Sequence, residues 1–148
     1  MPRCLVLYSA LPCLSLLAAC AQSDGIDSDG AIYEGVSADA SITLSGTEPF
    51  WGMELTPKGE EEYNARFTSP EDIDGSPFVA TRFAGNNGLG FSGELGDKPV
   101  QVALTPGDCS DGMRDRLYPF TATVGLGEVT VTGCAYTSEA HFAGPEAP

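Results

Sequence analysis

Basic residues and histidine are scarce in this chain. Its 148 residues include seven Lys and Arg against 21 Asp and Glu, and one histidine, His141. Because no basic stripe can neutralise phosphates, nucleic acid is excluded as a partner. A single histidine near the end of the chain also excludes a catalytic triad, a histidine acid–base pair and a histidine zinc site in the folded domain.

Long apolar runs and helical periodicity are missing as well. The apolar stretch from Cys4 to Leu16 is too short to span a bilayer, contains Pro12 and follows one basic residue, Arg3. This pattern is typical of an export signal. We therefore expect residues 1–19 to be a signal peptide.

The predicted signal ends in Leu17-Ala18-Ala19-Cys20, which resembles a bacterial lipobox. The resemblance implies cleavage before Cys20 and acylation of that residue, by palmitate or similar chains. Two or more acyl chains hold a protein stably on a membrane. Ala21, in place of the Asp that commonly retains lipoproteins at the inner membrane, implies the outer membrane, facing the periplasm. The alternative is an ordinary signal peptidase site, which would release a soluble protein beginning at Gln22.

Of the five cysteines, Cys4 and Cys13 leave with the predicted signal peptide and Cys20 is the predicted acylation site. Two remain, Cys109 and Cys134. In an oxidising periplasm such a pair most often forms a disulfide. The alternative, a redox or metal pair, lacks CxxC spacing and clustered histidines. Strict alternation turns Cys134 away from the core, so we expect either a bulge at Gly133 or a bridge on the outer surface.

The mature chain is strongly acidic. Without Arg3 it has six basic and 21 acidic side chains, a net charge of −15. Such a charge repels anionic lipid head groups, so we expect the acyl chains alone to attach the protein. It serves solubility, and it also favours a cationic partner such as a basic protein, a polyamine or a divalent ion.

Composition divides the mature chain into three parts. Residues 20–39 are rich in Asp, Ser and Gly, which predicts an acidic flexible tether. Residues 40–136 alternate apolar and polar residues between Gly- and Pro-rich turns, which predicts an all-β domain. Seven to eight short strands of this spacing indicate a small antiparallel barrel or sandwich without helices. The composition of residues 137–148, mostly Ser, Glu, Ala, Gly and Pro, predicts a disordered tail.

Two segments of the domain carry unusual motifs. The first is Gly46-Thr47-Glu48-Pro49-Phe50-Trp51, and the second runs from Cys109-Ser110-Asp111-Gly112-Met113 through Arg114-Asp115-Arg116-Leu117-Tyr118-Pro119. Together they resemble a family of uncharacterised bacterial envelope proteins, often lipoproteins, with G-T-E-P-F-W and C-S-D-G-M-S-D-R-x-Y-P motifs. Arg114 stands where that pattern has a serine. The resemblance implies an envelope location and a β fold, and supplies no activity.

The second motif has two interpretations. As a structural staple it would cover an open end of the barrel, with the Asp111 carboxylate accepting backbone amides and Arg116 pairing with Asp115, Asp111 or Glu48. As a recognition loop it would insert Arg114 into an acidic cleft of a partner. Alternation predicts Trp51 in the core and an exposed Phe50 on a contact patch. The candidate site residues are Glu48, Phe50, Trp51, Asp111, Met113, Arg114, Asp115, Arg116 and Tyr118.

These observations predict a lipid-anchored envelope protein with a non-catalytic binding or structural role, without cofactor or metal. One alternative is an inhibitor of a basic envelope enzyme such as lysozyme, by analogy with small acidic barrel lipoproteins. A second is a carboxylate-dependent enzyme using Glu48, Asp111 and Asp115.

Overall fold

The computed structural model describes residues 33–59, 61–113 and 115–145. The predicted signal peptide, the lipidation site Cys20, most of the predicted tether and Arg114 lie outside the described residues.

Eight β-strands form the fold. Each pairs antiparallel with the next, and the last pairs with the first, which closes the sheet into a barrel. The described residues contain no helix, and so none that could cross a membrane. The all-β prediction is confirmed, with eight strands in a barrel. The strands are β1 Ile42–Thr47, β2 Phe50–Pro57, β3 Glu62–Ser69, β4 Asp72–Ala84, β5 Leu89–Leu95, β6 Lys98–Cys109, β7 Tyr118–Leu126 and β8 Val129–Thr137.

Period-two alternation fills the interior of the barrel. Successive residues of a strand point to opposite faces, so one apolar residue in two points inward and is removed from water. The aromatic rings of Tyr63 and Phe91 pack edge to face, with centroids 5.1 Å apart. The largest fully buried apolar side chains are Tyr63, Phe91, Ile42, Leu44, Met53, Leu55, Val100 and Val124.

Strand β8 keeps a continuous register with β7, from Leu126 opposite Val129 to Phe120 opposite Ala135. Gly133 therefore forms no bulge, and Cys134 lies on the outer side of the sheet. Of the two predicted alternatives, a bulge at Gly133 or a bridge on the outer surface, the structure shows the second. The disulfide of Cys134 with Cys109 confirms the predicted pairing, with Cα atoms 5.6 Å apart. Cys134 is nonetheless only 2% exposed.

Residues 33–40, here called the plug, close the barrel end at which β1 begins. Val36 and Ala40 are buried in the core, and Tyr33 packs against it. Arg82, from the end of β4, donates a hydrogen bond to the carbonyl of Val36 at 2.9 Å. The prediction of a flexible tether is therefore wrong for residues 33–39. Tyr33 and Val36 pack against the core, although the composition of the segment as a whole, rich in Asp, Ser and Gly, predicts a flexible chain.

Tyr63 fixes the plug from inside the barrel. Its phenol donates a hydrogen bond to the carbonyl of Ala38 at 2.7 Å. Burial raises the pKa of Tyr63 above its usual value, although the positive charge of Arg82 opposes the shift. The phenol therefore stays protonated and remains a donor at neutral pH.

The last described segment, residues 138–145, is here called the tail, and it packs against the barrel. Leu117 and Ala143 pair as a β-bridge. The Phe142 ring contacts Tyr118 and Tyr136, with centroids 5.4 and 5.3 Å away. The prediction of disorder is wrong for residues 137–145, because Thr137 ends β8 in a buried position and Phe142 joins an aromatic cluster.

Candidate functional site

The two sequence motifs meet on the outer side of the barrel, where they line one groove of about 500 Å³. The first motif contributes the β1–β2 hairpin, and the second contributes the start of the loop that follows β6. The third side comes from the end of β3 and the turn into β4, which sequence analysis did not identify. The residues that define the groove are Thr47, Phe50, Gly52, Ile73, Asp111, Met113 and Tyr118.

Three exposed apolar side chains project at this groove. Phe50 is 57% exposed, Met113 64% and Ile73 81%. They come from three separate segments of the chain. Pairing of β3 with β2 and β4 brings Phe50 and Ile73 together, and the contact of Asp111 with Thr47 brings Met113 to the same groove. An exposed cluster of large apolar groups with polar surroundings is typical of an interaction surface. The prediction that Phe50 is exposed is confirmed, and Ile73 is exposed beside the same groove.

Small residues form the floor of the groove. A Cβ atom at Gly52 would lie 2.7 Å from the Thr68 hydroxyl, and one at Gly46 would lie within 3 Å of the Trp51 indole. Trp51 itself points inward and is 5% exposed, as predicted. Its indole N–H donates to the carbonyl of Thr132 at 3.3 Å. The glycines of the first motif therefore allow close packing around Trp51 and leave the groove open above it.

Asp111 organises the side of the groove formed by residues 110–117, here called the wall loop. Its Oδ1 accepts the N–H of Met113 at 3.0 Å and its Oδ2 accepts the Tyr118 hydroxyl at 3.1 Å. Its carbonyl accepts the Thr47 hydroxyl at 3.3 Å, which joins the loop to β1. The prediction that this carboxylate accepts a backbone amide is confirmed.

The disulfide holds the wall loop at its start. It joins Cys109, the last residue of β6, to Cys134 on the outer side of β8. The loop consequently runs along the outside of the sheet toward β1. The interpretation of this loop as a staple over an open end of the barrel stays a prediction.

Arg116 holds the other end of the wall loop to the tail. Its Nε–H donates to the carbonyl of Pro145 at 2.8 Å, and its guanidinium lies 4.2 Å from the centre of the Phe142 ring. Within the described residues no ion pair joins Arg116 to Glu48. Of the three carboxylates predicted as alternatives for Arg116, namely Asp115, Asp111 and Glu48, Glu48 is therefore not its partner. The contacts described for Arg116 are instead the aromatic face and the carbonyl that the tail offers.

The other predicted site residues lie around the groove. Glu48 is exposed in the β1–β2 turn, and Asp115 is exposed in the wall loop. Arg114 lies outside the described residues. Tyr118 is buried between the groove and the tail. The structure thus brings most of the candidate residues to one face, around Asp111.

Sequence analysis missed Ile73 and Phe142. Each is a large apolar residue in a polar stretch, Ile73 among Glu71, Asp72 and Asp74, and Phe142 in the predicted tail. A lone apolar residue in such a stretch is a weak signal, because such residues are often exposed without a function.

The described part of the chain contains no group of three or more His, Cys, Asp or Glu residues placed to hold a metal ion. His141 is exposed and contacts the Tyr136 ring, with centroids 5.6 Å apart. The chemistry that this site offers is an apolar surface bordered by carboxylates.

Comparisons of the chain with protein-family models, with curated proteins and with solved structures found no match. The family resemblance of the two motifs therefore stays a prediction, and function has to be inferred from the groove.

Proposed function

We propose that this protein is a lipid-anchored component of the bacterial cell envelope that binds a protein partner through the groove, without catalysing a reaction. In this proposal Cys20 carries the acyl chains, and the barrel faces the periplasm from the outer membrane. The observation that carries the binding role is the convergence of Phe50, Ile73 and Met113 on one side of the barrel.

The energetic argument rests on the cost of exposing these side chains to water. Covering a large apolar side chain contributes roughly 1.5–3 kcal/mol. The apolar residues inside the barrel form its core, so the three large apolar groups on its outer surface are not part of that core. A partner that covers them gains that free energy, and the rigid strands on two sides of the groove keep the ordering cost low.

Replacing Phe50 with serine tests the groove. We expect crosslinking in intact envelopes to recover a protein partner with the wild type, and Phe50→Ser to reduce that recovery roughly tenfold or more, because the covered ring contributes about 1.5–3 kcal/mol. The unfolding free energy should change by less than about 0.5 kcal/mol, since the side chain is exposed.

Phe83→Ser is the matched control for that variant. Phe83 is 55% exposed, close to the value for Phe50, and does not line the groove. Its replacement should leave recovery of the partner unchanged. A binding role for the groove would be contradicted if Phe50→Ser and Phe83→Ser both recovered as much partner as the wild type, or if both lost the partner to the same extent.

The anchoring half of the proposal is tested at Cys20. We expect the mature protein to fractionate with membranes, and its first residue to carry acyl chains by mass spectrometry. Cys20→Ser should move the protein out of the membrane fraction, because no acyl chain is then attached. Cys13→Ser, within the predicted signal peptide, is the control and should change nothing. A wild-type product that begins at Gln22 without acylation would refute the anchor.

A further inference from the structure

We infer that the partner is a basic protein, which inserts an apolar side chain flanked by Lys or Arg residues into the groove. The inference rests on the proposed function, because it names the chemistry of the partner that the groove binds. Its basis is the charge that surrounds the apolar cluster.

Negative charge predominates in the segments that border the groove. Residues 46–52, 68–75 and 109–118 together contain six acidic and two basic residues. Three of the acidic residues lie next to Ile73: Glu71 in the β3–β4 turn, and Asp72 and Asp74 at the start of β4. An apolar side chain that enters beside Ile73 therefore brings its own neighbours close to carboxylates.

Several of these carboxylates remain available to a partner. Glu48, Glu71 and Asp74 are exposed, and within the described residues no hydrogen bond or ion pair engages their side chains. Asp72 is different, because its carboxylate accepts the Gly75 N–H at 3.0 Å and the Ser76 hydroxyl at 2.6 Å. Asp72 thus fixes the start of β4, while the side chains of Glu71 and Asp74 are exposed to solvent.

The arginines whose contacts are described near the groove are already engaged. Arg66 donates to the carbonyls of Asp74 and Gly75, each at 3.0 Å, which ties it to the start of β4. Arg116 is held by Pro145 and Phe142 in the tail. Both arginines therefore stabilise the borders of the groove, and an incoming cation meets exposed carboxylates.

Apolar and charged contacts have different roles in this arrangement. Covering a leucine-sized side chain strengthens binding by roughly 10- to 100-fold. Each exposed ion pair adds at most about fivefold, and salt screens it. The overall net charge of −14 also attracts cationic proteins from a distance and repels anionic ones. Affinity then depends mainly on the inserted side chain, and selectivity for basic partners depends on the carboxylates.

Three synthetic peptides of equal length separate these contributions. One carries leucine flanked by lysines, the second leucine flanked by glutamates, and the third serine flanked by lysines. Binding to the full-length protein is measured by calorimetry in nanodiscs of zwitterionic lipid, with empty nanodiscs as the blank. We expect the lysine–leucine peptide to bind roughly tenfold or more tightly than either of the others. Its affinity should fall several-fold between about 50 mM and about 500 mM salt.

A pair of double variants tests the carboxylates. Glu71→Gln with Asp74→Asn should weaken binding of the lysine–leucine peptide about five- to twentyfold. Glu94→Gln with Asp97→Asn makes the same change in net charge at exposed positions around the β5–β6 turn, outside the groove. This control should weaken binding by less than about twofold, through the overall field alone.

The outcomes distinguish this inference from the proposal on which it rests. If the glutamate–leucine peptide binds as well as the lysine–leucine peptide and Phe50→Ser weakens both, the groove binds apolar groups but the partner is not basic. If the lysine–serine peptide binds as well as the lysine–leucine peptide, the surface attracts cations generally and the inserted side chain is refuted. If no peptide depends on Phe50, or none binds, both the inference and the role of the groove are overturned.

Discussion

Replacing Cys109 and Cys134 together with alanine is expected to lower the unfolding free energy by about 3.5 kcal/mol. The bridge closes a loop with a sequence separation of 25 residues. Removing the bridge raises the conformational entropy of the unfolded chain, whereas the antiparallel ladders of the folded barrel stay intact. Urea unfolding, followed by fluorescence of the single tryptophan, Trp51, measures the difference.

The same double variant should lose binding at the groove while the barrel stays folded. The disulfide is the only covalent tie between the wall loop and β8 in the described residues. Without it, the loop is held to β1 by the hydrogen bond between Thr47 and Asp111. Far-ultraviolet circular dichroism should remain that of a β protein, and affinity for the partner should fall roughly tenfold as Met113 loses its fixed position.

Wild-type protein treated with a thiol reductant is the control for the effect of the substitutions themselves. It should match the double variant in both stability and binding once the bridge is open. A double variant as stable as the oxidised wild type would show that the bridge is not a stabilising element of the fold. Unchanged affinity for the partner would show that the wall loop does not contribute to binding at the groove.

Gly133→Ala is expected to destabilise the barrel by about 3 kcal/mol or more. A Cβ atom at this position would lie 2.1 Å from the carbonyl oxygen of Ser45 and 2.9 Å from the Trp51 ring. The first of these contacts is with the backbone of β1, which pairs with β8 at this point. Since the backbone cannot rotate away as a side chain can, the added methyl group has to separate the two strands that close the barrel.

Gly125→Ala is the matched control for that substitution. Gly125 is also a strand glycine, in β7, and an added Cβ would meet its nearest atom at 3.8 Å, an ordinary contact. Its unfolding free energy should stay within about 1 kcal/mol of wild type. Thermal unfolding of both variants measures the contrast. Equal stability of the two alanine variants would mean that β1 and β8 do not pack as closely as the structure indicates.

Parts of the candidate site could be predicted because alternation along a strand is a local property. Trp51 and Phe50 are neighbours in β2, so a period of two sends one inward and the other outward. The Asp111 turn was also predictable, since its carboxylate bonds to an amide two residues away. The partner of Arg116 was not, because Phe142 is distant in sequence and lies in a segment whose composition predicts disorder.

The sequence by itself determined the fold class, the burial pattern of the strands and the pairing of the last two cysteines. These properties follow from spacing within each segment and from the number of thiols. Tertiary structure decided that the plug closes the barrel, that the disulfide lies outside, and that Ile73 joins Phe50 and Met113. The physical reason is strand pairing: the register of the eight strands, closed by β8 on β1, sets which segments become neighbours, and no single segment contains that information.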